Sequence, residues 1–350
     1  MTRILPSLRG RNRIIIFGVI LTILAIALTF LLDPYRNFQF ATIAAYFTVT
    51  AGLTLLVGQS GQLSLGHAAL MAAGGYGYAL TANALAEAGV GGIGRFLMSF
   101  AVAVVVAGLL GLLLGLAAAR LHGPYLAGVT LALIVSVPAV AATFKILGGD
   151  QGLPSPYQGV PTALQSLIAV EQWHAWVALL IAGALVTWLT LLRNGSFGLR
   201  MRAVRDDETA ARLNGVPAGR VKVSAFTVSA VAAGAGGATL CFITQSVSPG
   251  AYTLSFSLLL VVAVVLGGLG SIGGAALGSV LVVMLPWLIT TATAQLPLSA
   301  DMAQRLTGNL PVLVFGALLT VTILVRPGGL VDLVPTRANQ APQPAPTPTT

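Results

Sequence analysis

Three histidines, one cysteine and two lysines are the residues from which catalysis would have to be built, and their placement argues against it. His67, His122 and His174 lie in separate segments, and the chain has no His-Glu-x-x-His pair and no nucleophile elbow. Lys145 and Lys222 are followed by Ile and Val, whereas a Walker A loop needs Lys followed by Ser or Thr. An ATP-driven step therefore has to sit on a partner. Cys241 stands alone, which excludes an intrachain disulfide and a cysteine-based metal site. No catalytic residue and no metal ligand is assigned.

Two stretches carry the remaining polar chemistry. Gly58-Gln59-Ser60-Gly61-Gln62-Leu63-Ser64-Leu65-Gly66-His67 is the most polar run inside apolar sequence. Its glycines let a helix unwind, and Gln, Ser and His then offer hydrogen-bonding groups. Irregular backbone at membrane depth is tolerated only where protein buries it or where it lines water. Gly61, Gln62, Ser64, Gly66 and His67 are accordingly candidate substrate-pathway residues. Close helix packing through Gly66, Ala69, Ala73 and Gly77 is the alternative. A second Gly-rich break, Leu266 to Gly274, occupies a comparable place in the second half, as paired interruptions do in transporters with two related halves. A tight turn between two spans explains the same glycines.

The other stretch, Arg193 to Lys222, holds seven of the eighteen Lys and Arg residues and three of the nine Asp and Glu. Ser196 is positioned to cap a short helix through Arg205, and Asp206 or Asp207 to cap a second through Leu213. Gly215 fits the left-handed residue that ends it, with Pro217 beyond. Two short capped helices make a compact knob suited to docking another protein. A basic loop on anionic lipid is the competing use.

These groups must be positioned by spans. Hydrophobic residues make up 56 % of the 350 and charged residues only 8 %, with a mean hydropathy of +0.92. About a quarter charged is usual for a soluble domain, so the fold class expected is an all-α polytopic bundle of about 8–10 spans with Gly-rich interrupted helices. Apolar runs fall at about 14–32, 40–57, 62–82, 97–119, 124–144, 175–192, 222–245, 256–270, 273–291 and 309–325. The first resembles a signal peptide but is long, ends in Asp33-Pro34 and lacks a cleavage pattern, so it reads as a retained span. Ten spans with both termini inside put Arg3, Arg9, Arg11, Arg13, Arg120, the seven of the polar segment, Arg326 and Arg337 on the inner side. Only Arg36, Arg95, Lys145 and Arg305 remain outside, as the positive-inside rule requires.

That placement, flanking apolar runs, also accounts for the net charge of +9 without nucleic acid. The loop at about 145–174 is the largest outer connection, with Trp173 and Trp176 at the interface level. Residues 1–335 read as one membrane domain with a polar loop at 193–222, and 336–350 as a disordered Pro/Thr/Ala-rich tail. All nine acidic residues fall in expected loops or at span ends, which disfavours coupling through intramembrane carboxylates. An ion-gradient-driven carrier using backbone carbonyls is still open.

GQLSLGHAALMAAGGYGYAL (61–80), GGDQGLPSPYQGVP (148–161), FGLRMRAVRDDETAARLNGVPAGRVKVSAFTVSA (197–230) and GGLGSIGGAALGS (267–279) occur in the order found in one family. They resemble the M-type permease subunits of ABC importers for branched-chain amino acids, over nearly all of 40–330. The resemblance implies a bacterial inner-membrane importer with a second homologous permease, two cytoplasmic ATP-binding subunits that use ATP and Mg, and an extracytoplasmic substrate-binding protein. It also implies that the polar segment carries an EAA-type motif seated on the ATPase, matched by Glu208, Ala210, Ala211 and Gly215 and flanked by Arg205, Asp206 and Asp207. Thr209 follows the Glu, and Gly215 stands seven positions on where the general pattern has six. Urea and short-amide permeases are close relatives that the sequence does not separate.

Overall fold

The structure, a computed structural model, describes residues 8–121, 124–162, 164–295 and 300–325. His122 and the proposed tail at 336–350 lie outside the described residues. Among the described residues, ten long helices correspond to the ten apolar runs: α1 (Leu8–Leu28), α2 (Pro34–Ser60), α3 (His67–Glu87), α4 (Gly92–Arg120), α5 (Pro124–Thr143), α6 (Val170–Asn194), α9 (Ala218–Thr244), α10 (Leu254–Gly267), α11 (Ile272–Ala294) and α12 (Ala300–Val325). Between α6 and α9 lie two short helices, α7 (Ser196–Asp206) and α8 (Glu208–Leu213). Eight helical stretches are long and apolar enough to cross a bilayer; α3 and α12 fall short among the described residues. This is an all-α, multi-pass membrane bundle.

The centre is α9, which packs on α2, α3 and α4. Small residues make this possible. A Cβ added at Gly74 would sit 2.1 Å from Gly234 O, so α3 and α9 touch backbone to backbone. The second layer is α6 on α2, α11 on α2 and α10, and α1 on α6.

One end of the bundle carries α7 and α8; the other is closed by the 145–169 connection. There β1 (Leu153–Pro154) pairs antiparallel with β2 (Ser246–Val247), just after α9. Gln158 ties this cover down: its Nε2 donates to Gly92 O at 2.8 Å, and His174 Nε2 lies 3.1 Å from its carbonyl oxygen. Arg95 donates to Tyr157 O and Asn83 to Pro154 O. The loop is thus bonded to α3, α4, α6 and α9 rather than left free. Trp176, expected as an interface anchor, donates to Thr29 Oγ1 at 2.8 Å and packs on Phe30, joining α6 to the α1–α2 corner.

Candidate functional site

The two Gly-rich interruptions and the polar segment, widely separated in sequence, meet at the α7 end of the bundle. Helix α2 ends at Ser60, and Gly61 adopts φ +68°, the left-handed C-terminal residue that glycine takes without strain. Residues 61–66 are not helical. They run back into the bundle: Gln62 Nε2 donates to Lys222 O near the start of α9 (3.4 Å), while His67 Nε2 lies 2.8 Å from Ser229 Oγ. Seven residues of α9 separate those contacts, a climb of about 10 Å. Helix α3 therefore starts well inside the bundle, where unpaired backbone groups would be costly. They are met by side chains: Leu65 N donates to Thr130 Oγ1 (3.0 Å), and Ser257 Oγ donates to Leu65 O (2.5 Å) while accepting from Ala68 N (3.3 Å).

The five residues picked as pathway candidates divide. His67 is fully buried, bridged between Ser64 Oγ (3.0 Å) and Ser229 Oγ, and Ser64 is equally buried. Gly66 faces the Thr130 carbonyl so closely that an added Cβ would lie 2.2 Å away. These three hold the broken helix together and face no open space. Gly61 is exposed, and an added Cβ there would meet Arg205 Cγ at 2.7 Å. Gln62 is buried with Nε2 on Ser60 Oγ (2.9 Å), but its Oε1 receives no hydrogen bond among the described residues. A cavity of about 400 Å³ lies between α3, α4 and α5, lined by Ala73, Tyr76 and apolar neighbours, and none of the five candidates lines it.

At the second interruption, α10 ends at Gly267, and Gly268 and Gly270 have φ +112° and +78° before Ser271 caps α11 through Gly274 N. It packs directly on the first. A Cβ on Gly58 would come within 2.2 Å of Gly270 N, and Gln59 Nε2 donates to Gly270 O at 3.4 Å.

The polar segment clamps this junction. Arg205 donates to Gly58 O (2.6 Å) and Arg202 to Gln59 Oε1 (2.7 Å). Both arginines project from α7, whose Met201 and Val204 are buried on the bundle. The two short helices form as expected, with one shift: Gly195, not Ser196, occupies the capping position, and Ser196 is the first helical residue. Asp207 caps α8, accepting from Thr209 N (2.8 Å) and Ala210 N (2.9 Å), and Gly215 adopts φ +77°. Asp206 pairs with Arg205. Ala211 is buried and Ala210 exposed.

Glu208 bonds Arg212 one turn on (2.5 Å) and Lys222 on α9 (2.6 Å), with Lys222 only 11 % exposed. Burial pushes the Glu208 carboxyl up, but the hydrogen bonds and charges of Lys222 and Arg212 outweigh it and hold the group below the usual glutamate range. It is an anchor that fixes α8 to the start of α9.

Two interlocked helix breaks are thus bonded to a capped helical knob. Residues 36–323 match the family described as the branched-chain amino acid transport system / permease component. The chain belongs to that family. The permease is 29 % identical to the high-affinity branched-chain amino acid transport system permease protein LivM of Escherichia coli, across 94 % of this chain and 78 % of the relative. A probable branched-chain amino acid transport permease protein LivM from Methanocaldococcus jannaschii is 24 % identical over 72 % of this chain and 73 % of its own. No solved structure matches it.

Sequence reasoning missed Ser229, Ser257 and Thr130, which satisfy the first break, and the arginine clamp. Hydroxyls in apolar helices usually bond their own preceding turn, so nothing marked these three. Arg202 and Arg205 carried a signal in their charge, but none in their partners.

Proposed function

We propose that this permease forms, with a second homologous permease, the pathway by which branched-chain or related amino acids are imported, and that two cytoplasmic ATP-binding subunits drive it. An extracytoplasmic binding protein would deliver substrate at the end covered by residues 145–169. The observation that carries this reading is the bonding of α7 to the first helix break through Arg202 and Arg205, and of that break to the second through Gln59. A knob that served only to contact lipid would have no need of such bonds into the spans. Residues 193–222 then lie in the cytoplasm with both termini, in a bacterial inner membrane, and 1–335 act as one permease domain.

In this mechanism ATP and Mg belong to the partner, and closure of the ATPase pair moves α7 and α8. The motion reaches the breaks at 58–67 and 266–274, where backbone without regular hydrogen bonding can rearrange at low cost. Gln62 Oε1, a buried acceptor without a donor among the described residues, is the point at which an ammonium group could bind as the path opens. The test is to make Glu208→Ala and Gly215→Val and measure ATPase co-purification together with amino-acid uptake. Loss of co-purification with the permease still folded supports docking through α8. Normal assembly and normal uptake in both variants would remove the docking role.

A further inference from the structure

A groove lies between α1 and the body of the bundle, with Ile272 and Gly273 at the edge of the second helix break forming part of its wall. Its first section, about 330 Å³, is lined by Ile14 and Phe17 of α1, by Thr190 and Arg193 at the end of α6, and by Phe47 and Ala276. A second section of about 220 Å³ shares Leu21, Phe47 and Ala276 and continues to Ala25 and Leu179. A third, at the mouth, is lined by Arg13, Phe17 and Thr190. From Ile14 to Ala25 the groove follows eleven residues of α1, about 16 Å at a helical rise. That is about one leaflet of a ~30 Å hydrocarbon core.

Its walls are apolar and its mouth is cationic. Arg193 and Arg13 stand at the α7 end, and neither forms an ion pair with a carboxylate among the described residues. Arg202 adds a third cation close by, donating to Arg193 O at 3.4 Å. A half-buried guanidinium without an anion is costly, and the nearby carboxylates are engaged: Asp206 with Arg205, and Glu208 with Arg212 and Lys222.

We propose that this groove is a binding site for one anionic glycerophospholipid, its phosphate between Arg193 and Arg13 and one acyl chain along α1. A depth of one leaflet and a cationic mouth fit that molecule. A zwitterionic lipid would fill the walls but leave the arginines less well matched. The site wedges a lipid between α1, which packs on little but α6, and the α2–α11 wall.

The test uses the full-length chain purified in detergent, with thermal unfolding followed while phosphatidylglycerol or phosphatidylcholine of identical chains is added. Phosphatidylglycerol should stabilise the wild type at lower concentration. Arg13→Gln and Arg193→Gln should each raise the phosphatidylglycerol midpoint about fivefold, as expected of one arginine at a lipid surface. Arg193→Lys should restore most of the response, and Arg120→Gln, exposed elsewhere, should leave it unchanged. Ala276→Leu, which fills the groove, should weaken both lipids. Should a glutamine variant fail to fold, Ala276→Leu and Arg193→Lys still decide the matter. Equal midpoints for the two lipids, a loss as large in Arg120→Gln, or an Ala276→Leu variant that binds as the wild type would each overturn the site.

Discussion

Gly58→Ala is the substitution for which the structure makes the sharpest demand. The new methyl would stand 2.2 Å from Gly270 N and 2.4 Å from its Cα, both backbone atoms, whereas ordinary contact begins near 3.4 Å. The two helix breaks must therefore part by about 1 Å. Overpacking of this kind costs about 1–3 kcal/mol. The separation also stretches the Gln59–Gly270 hydrogen bond, already 3.4 Å long, and shifts the carbonyl that Arg205 holds at 2.6 Å. A neutral bond contributes about 1 kcal/mol and one to a charged group about 1.5–3, the latter reduced here because Arg205 is 39 % exposed. The total is about 2–4 kcal/mol against the joined state of the breaks. Gly273→Ala is the matched control, since a Cβ there meets nothing closer than Ser271 Oγ at 3.9 Å. Thermal unfolding in detergent and uptake in proteoliposomes with the partner subunits measure both variants. Gly58→Ala should lose stability and uptake while Gly273→Ala keeps both. Wild-type behaviour in Gly58→Ala would refute the contact between the breaks.

Other outcomes follow from the same network. Glu208→Gln leaves Lys222 without its anion and should cost about 2 kcal/mol, less than the 3–5 for a fully buried pair. Because the Glu208 carboxyl is held below its unfolded value, its stabilisation is complete above the ordinary glutamate pKa of about 4.3 and is lost as pH falls through the lower folded value. The difference in unfolding temperature between wild type and Glu208→Gln should therefore be full at pH 7 and shrink toward zero below that range; a constant difference would contradict the pairing. His67→Ala orphans Ser64 and Ser229 and should destabilise the fold by about 2–4 kcal/mol, lowering uptake only in proportion to folded protein. If uptake per folded molecule falls tenfold, His67 has a direct part in transport.

Much of this architecture was legible in the sequence because it is set locally. Apolar runs marked all ten long helices, and Asp207 and Gly215 marked the start and end of α8 by rules that act within one turn. The break at 58–67 was legible for the same reason. Its partners were not: Gln59 and Gly270 are 211 residues apart, and Arg205 and Gly58 are 147 apart. Spacing along the chain says nothing about contacts over such distances. The sequence also presented His67 as a candidate pathway residue, and nothing along the chain marked Ser229 on α9 as its buried partner. Ser196 missed its expected capping place by one residue because Gly195 already takes the extended conformation that opens α7.

In the proposed mechanism α7 drives the helix breaks through Arg202 and Arg205. The direct measurement is amino acid taken up per ATP hydrolysed, in proteoliposomes holding the complete transporter, for the wild type and for Arg202→Gln with Arg205→Gln. Asp207, Glu208 and Gly215 are untouched in that variant, so the ATPases should still bind and hydrolyse ATP. Uptake per ATP should fall severalfold. An unchanged ratio, with the variant folded and assembled, would contradict it.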